Sequence, residues 1–247
     1  MTDDDGGRPP RHDAGSPSDA AAELARRWFT STSELSPRRL HLRRLADAGR
    51  LVIERMANTD VADHLIERAA ELLEEAAAQL DGPGRVRRYE GFAESANAGG
   101  DPNPHFDHSP IFGMASPLAP PTRIDIGADG RSVVLHVQYG TAYEGPPGSV
   151  HGGVVAAMFD EVLGMTQSLS GQPGMTGTLR IRYRRPTPLH RELRFVGVLD
   201  RVDGRKIFTT ARCLDGDDVT AEAEGLFIHV DFQRLVDMVA SRDGAAD

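Results

Sequence analysis

A His-Gly-Gly triplet, His151-Gly152-Gly153, opens a strongly apolar run in the second half of the chain, and the carboxylate of Asp160 lies inside that run. Its neighbours are Val154, Val155, Ala156, Met158, Phe159, Val162 and Leu163, so an acid among them is costly unless it has a task. The length and apolar spacing predict a helix over 151–171. The first turn of a helix presents N–H groups without acceptors at the positive end of its dipole. Glycines there let a carbonyl oxygen approach the backbone, as an oxyanion hole requires. Asp160 follows Gly153 by seven residues, about 700° of helix, which brings it back to nearly the same face. The rise per residue nevertheless sets the two roughly 10 Å apart along the axis. A carboxylate that far away cannot drive attack on a carbonyl held by its own chain's glycine amide, because attack needs about 3 Å. Either the two groups have different tasks, or two chains pair so that one supplies the glycine and the other the aspartate. The second arrangement requires an obligate dimer.

Positioning such a helix needs a sheet, and the flanking sequence supplies one. Val133, Leu135 and Val137 alternate with Ser132, His136 and Gln138, which is a half-buried strand. The segment Tyr143 to Val150, YEGPPGSV, is a loop leading into the helix. Four further strand-like runs follow near 175–186, 190–202, 205–214 and 218–231. Pro186-Thr187-Pro188, Asp203-Gly204 and Asp215-Gly216 separate them, and the Asp-Gly pairs are strong hairpin signals. One strand, a helix and four antiparallel strands give an α+β fold in which a sheet wraps one helix.

The rest of the chain divides by texture. Residues 1–18 are acidic, Gly- and Pro-rich and read as a disordered tail. Residues 19–84 read as a helical extension. One helix starts at Ser36-Pro37 and carries Leu40, Leu45, Val52 and Ile53. A second is capped by Asp60, striped by Val61, Leu65, Ile66, Ala69, Leu72, Leu73 and Ala76, and stopped by Gly82-Pro83-Gly84. The stripe calls for a packing partner, so the extension is expected to lie as a lid or flank on the main domain. Residues 85–125 form an irregular connecting segment, 126–232 the sheet-and-helix domain, and 233–247 a C-terminal tail.

Composition narrows the function classes. A formal charge of −9, from 28 basic and 37 acidic residues, argues against nucleic acid as partner. No apolar run approaches the roughly 20 residues that span a bilayer, and MTDDDGGRPP lacks the apolar core of a secretory signal. A single cysteine, Cys213, excludes an intrachain disulfide and a Cys-based zinc site, so a cytoplasmic location is expected. In a predicted strand with no nearby histidine, Cys213 reads as a core thiol. His105-Phe106-Asp107-His108 offers metal-ligand types, but no further ligand stands at a familiar spacing. No metal is expected, and the segment reads as a loop at the mouth of a groove.

YEGPPGSVHGGVVAAMFDEVLGM, MTGTLRIRYRRPTPL, GRKIF and AEAEGLFIHV together resemble the hotdog-fold acyl-CoA thioesterases of the phenylacetyl-CoA thioesterase-like superfamily. The likeness covers roughly residues 105 to 232 and is nearest to the mitochondrial-type long-chain members. It implies an antiparallel sheet around one long helix, paired into a homodimer or a dimer of dimers. It also implies hydrolysis of acyl-CoA to free acid and coenzyme A, with no cofactor beyond the coenzyme A of the substrate. Under the resemblance Asp160 is the catalytic carboxylate, acting as general base or as nucleophile through an acyl anhydride. Gly152 supplies the carbonyl-polarising N–H, His151 helps hold that loop, and Thr176 stands near the attacking water. Gly145 occupies a position where several bacterial members carry Asn or Gln. Substrate contacts are expected at Gly153, and at Arg184, Arg185, Arg205 and Lys206 for the phosphates of coenzyme A. Lys206 is the sole lysine, so a cluster of arginines in this chain carries little weight by itself. Two other functions fit the same fold: an acyl-CoA-binding sensor or scaffold, and an acyl-CoA hydratase or dehydratase. The latter class needs a histidine beside the aspartate, and none follows Asp160 on the helix.

Overall fold

The computed structural model describes residues 37–82, 107–172 and 174–230. Two helices, α1 (Pro37–Asn58) and α2 (Asp63–Gln79), precede two strands, β1 (Thr122–Ile126) and β2 (Ser132–Gln138). A short 3-10 turn (Thr141–Tyr143) and the loop after it lead into α3 (Gly152–Ser168). Four strands complete the chain: β3 (Gly174–Tyr183), β4 (Glu192–Asp203), β5 (Lys206–Asp215) and β6 (Asp218–His229). They form one antiparallel six-stranded sheet in the order β1-β2-β4-β5-β6-β3, wrapped around α3. This is the hotdog arrangement that the sequence implied, with one more strand. β1 begins in the segment read as irregular, 85–125, and ends one residue beyond it; its Arg123 and Asp125 break the apolar alternation, and its pairing with β2 defines it as a strand.

Small residues let the helix sit against the sheet. A row of paired residues crosses beneath it: Val133, Gly197, Ala211, Ala223 and Ile181. A Cβ at Gly197 would lie 2.2 Å from Thr166 Oγ1 on α3, so a side chain there would push the helix off its seat. Flanking that row, Leu135, Phe195, Ile207, Cys213 and Phe227 pack with Val155, Met158, Phe159, Val162 and Leu163 into the core. Both Asp-Gly turns form as expected, with Gly204 at φ 55° and Gly216 at φ 61°, where L side chains are disfavoured. β3 runs along the sheet edge, and its pairing with β6 shifts register between Thr176 and Thr178, a β-bulge.

The extension divides in its behaviour. Pro37 is the first residue of α1, as the sequence suggests. That helix docks on the main domain through polar side chains, while Leu40 and Leu45 stay exposed. Arg39 and Arg43 both reach the buried Asp107 carboxylate, at 2.6 and 2.7 Å. Arg50 donates to the carbonyls of Met114, Ser116 and Ala119, and Glu54 accepts the backbone N–H of Thr141 and of Ala142. α2 corrects the sequence reading: its N-cap is Ala62 rather than Asp60. Its Leu65, Ile66, Leu72 and Leu73 remain exposed rather than packed. The N-terminal segment read as a disordered tail, residues 19–36 of the extension, Pro83-Gly84, part of the connecting segment and the C-terminal tail lie outside the described residues.

Candidate active site

The loop before α3 is built to hold the helix terminus still. Glu144 bridges Val150, Ser149 bridges Pro188, and Gly148, at φ 72°, donates its N–H to Glu144 Oε1 at 2.6 Å. The His151 N–H donates to the Tyr143 carbonyl and the Val150 N–H to that of Thr187. A Cβ on Gly145 would stand 2.7 Å from His151 Cα. The loop therefore passes too close for an Asn or Gln at this position.

His151 is the N-cap of α3, and its Nδ1 accepts the Gly153 N–H at 3.0 Å. That commits Gly153, whereas the Gly152 N–H has no acceptor among the described residues. The open donor is the Gly152 N–H, while Gly153 is tied to His151 and its N–H is not free for substrate. Tyr183, which sequence reasoning singled out only as part of a strand motif, donates its hydroxyl to the Gly152 carbonyl at 2.8 Å. It fixes the same peptide from the side of β3.

Asp160 lies on the solvent side of α3, and Thr176 Oγ1 donates to its Oδ1 at 3.0 Å. Thr176 is therefore at the carboxylate. One carboxylate oxygen is oriented by this bond, and the other is left for a water molecule. Eight residues of helix separate Gly152 from Asp160, roughly 12 Å of axis, so the structure keeps the separation that the sequence implied. Beside the helix start is a cavity of about 240 Å³, walled by Val154, Ala157 and Met158 on α3 and by Pro110, Ile111, Leu118, Pro120, Tyr139 and Tyr143 across from it. Tyr143 donates its hydroxyl to the Leu118 carbonyl, and burial pushes its pKa up to about 12, so it stays a neutral donor.

The four basic residues do not come together. Arg184 pairs with Glu222 and Arg185 with Asp218, at the Tyr183 end of β3. Arg205 donates to the His229 carbonyl, and Lys206 adjoins it, at the Gly174 end. About ten residues of strand, roughly 30 Å, lie between the two pairs, so one chain cannot aim all four at one set of phosphates. Asp107, offered as a metal-ligand type, is occupied by its two arginines. No cluster of metal-ligand side chains occurs among the described residues. His105 and Phe106 lie outside those residues. Cys213 is a core thiol, pushed up to about 12 by burial.

The hotdog frame thus carries a helix-start donor, a tethered carboxylate and an apolar cavity. Residues 147–222 match the Thioesterase superfamily. A solved thioesterase superfamily protein, RHA08564, is 38% identical with a TM-score of 0.67, over 76% of this chain and 94% of that one. This chain belongs to the thioesterase superfamily. Among curated proteins, acyl-coenzyme A thioesterase THEM4 of Bos taurus is 38% identical over 105 residues, 42% of this chain and 43% of the relative. Acyl-coenzyme A thioesterase THEM5 of Homo sapiens is 33% identical over 105 residues, 42% of each. The aligned region thus spans less than half the length of these curated relatives.

Proposed function

We propose that the protein hydrolyses acyl-CoA to a free acid and coenzyme A, in a site shared between two copies of the chain. The observation that carries this is the pair of groups on α3: an unpaired N–H at Gly152 and a carboxylate held by Thr176 at Asp160, too far apart to act within one chain. The thioester carbonyl oxygen of a bound acyl-CoA accepts the Gly152 N–H of one protomer. Asp160 of the partner subunit takes a proton from water, which attacks the carbonyl carbon. The tetrahedral intermediate collapses, the C–S bond breaks, and the departing thiolate takes up the proton held by Asp160. The balance is acyl-CoA plus water to acid plus thiol, with no other reactant. Thr176 orients the carboxylate, which favours the water-activating role over direct attack by Asp160. The similarity to acyl-coenzyme A thioesterases supports the choice of substrate.

Pairing through β3 suits this scheme. β3 is an edge strand with exposed Met175 and Tyr183, and an uncovered edge is a template for another strand. The test is subunit mixing. Asp160→Asn and Gly152→Pro protomers are each inactive, yet a heterodimer holds one complete site. Equal mixing should restore roughly a quarter of wild-type activity, since half the dimers are mixed and one of their two sites is whole. No recovery after verified exchange would refute the shared site. A wild-type protein that binds acyl-CoA but releases no thiol would favour a sensor instead.

A further inference from the structure

A second cavity lies outside that chemistry. Its volume is about 480 Å³, and α1 supplies part of its wall through Asp47, Arg50, Leu51, Ile53 and Glu54. Pro117, Pro121 and Ala142 extend that wall from the loops. The charged groups on it are already engaged. Arg50 is bound to Asp47 and to the carbonyls of Met114, Ser116 and Ala119, and Glu54 to the N–H groups of Thr141 and Ala142. What the cavity offers a ligand is therefore mainly hydrocarbon surface, which suits an alkyl chain.

Two residues, Pro120 and Tyr143, belong to the walls of both this cavity and the one beside the helix start, so the two spaces adjoin there. Tyr143 is the larger of the pair and is fixed twice. Its hydroxyl donates to the Leu118 carbonyl at 3.0 Å, and its ring packs edge-on against Tyr139 with centroids 5.2 Å apart. A chain that displaced the ring would have to break that hydrogen bond and strip the ring from Tyr139. The backbone of Tyr143 has a separate duty, because its carbonyl accepts the His151 N–H. The side chain can therefore be exchanged without touching the bond that holds the start of α3. At ~30 Å³ for each carbon-sized group, the cavity of about 240 Å³ at the helix start takes about eight acyl carbons, and the second takes about sixteen more.

Resting on the acyl-CoA reading above, we propose that Tyr143 sets the acyl length: its side chain closes the cavity at the helix start off from the one beside α1 and holds the substrate to acyl groups of about eight carbons. Later carbons then stay in water. Each one that found a wall instead would gain up to about fourfold in affinity.

The test measures thiol release from saturated acyl-CoA of four to fourteen carbons by wild type, Tyr143→Ala and Tyr143→Ala/Leu51→Trp. Wild-type kcat/KM should rise to about eight carbons and go no higher. Tyr143→Ala joins the cavities and should raise tetradecanoyl-CoA relative to octanoyl-CoA by at least about tenfold. Leu51 is exposed and lines the second cavity but not the first. A tryptophan there fills the added space and should return the optimum to about eight carbons. Tyr143→Leu carries the same expectation at smaller amplitude if the alanine variant does not fold. A length profile that Tyr143→Ala leaves unchanged, or a shift that Leu51→Trp does not reverse, would overturn the assignment. Calorimetric binding of S-octyl and S-tetradecyl thioethers of coenzyme A separates this idea from hydrolysis. A preference that moves with Tyr143 in a protein releasing no thiol would refute hydrolysis and keep the partition. The same ratio of affinities in wild type and Tyr143→Ala would refute the partition whatever the turnover.

Discussion

Gly152→Pro isolates the oxyanion donor with little disturbance elsewhere. Proline is well placed at the first helical position, because the N–H it removes has no intrahelical acceptor in any case. Here Gly152 is that first residue, and its N–H is unpaired among the described residues. Proline also demands an extended residue before it, and His151 has φ −57° and ψ 131°. The new Cβ would meet the Tyr183 ring at 3.6 Å, an ordinary contact. Stability should therefore change by less than about 1 kcal/mol, a melting shift of a few degrees at most. Activity should fall about 10²–10³-fold in kcat, since one oxyanion donor contributes roughly 3–4 kcal/mol to the transition state. Gly152→Ala keeps the N–H and should lose far less. Thiol release can be followed with a disulfide reagent, because Cys213 is buried and stays protonated. If Gly152→Pro folds normally and retains more than about a tenth of wild-type kcat, the donor lies elsewhere and the reasoning fails.

Asp160→Asn should lower kcat about 10²–10⁴-fold with substrate affinity kept, and Thr176→Val about tenfold, through loss of one hydrogen bond to a charged and exposed group; steady-state kinetics on both checks the order. Asp107→Ala removes the buried carboxylate that Arg39 and Arg43 both hold and should destabilise the fold by about 2 kcal/mol, read by denaturant melts. Deleting residues 1–61 removes Arg39, Arg43, Arg50 and Glu54 and frees the wall formed by Pro110, Ile111 and Leu118. Acyl chain-length preference should change, and deleting 1–84 should add nothing, since no residue of α2 is buried. Burial, with the Asp160 charge adding to it, pushes the Glu161 pKa up to about 7, so between the ordinary carboxylate range and that value the native protein holds the proton more tightly than the unfolded chain does. Raising pH through that window therefore weakens the fold, and Glu161→Gln should show a smaller drop in Tm from pH 5 to 8.

The chemistry-bearing residues were legible because their types are rare where they stand. A carboxylate within an apolar helix and two glycines at its start have few other uses, and the glycines do stand at the helix start. The strands were legible through Val133-Leu135-Val137 alternation and the two Asp-Gly turns. What escaped was what depends on long-range contact. β1 is defined by β2 beside it, not by its own apolar pattern. The α2 stripe looked like a buried face, because periodicity reports that a helix is amphipathic and not what covers it. The hold of α1 is ionic and reaches across 64 and 68 residues of sequence to Asp107. In an arginine-rich chain nothing local distinguishes those two arginines from their solvated neighbours.

The bulge in β3 settles a question of parity. Residues seven apart on a regular strand point to opposite faces, and Thr176 and Tyr183 are seven apart. Yet both reach α3, one at Asp160 and the other at Gly152. The extra residue near Gly177 makes the odd count even, and so lets one strand brace both halves of the chemistry. Removing it would keep the strand's length almost unchanged and turn one of the two residues away from the helix. A relative with the bulge ironed out could hold its acid or its donor by this strand, never both. Gly177 itself has little room to vary, for a Cβ there would sit 3.1 Å from Ile228 and 3.3 Å from the Leu226 carbonyl.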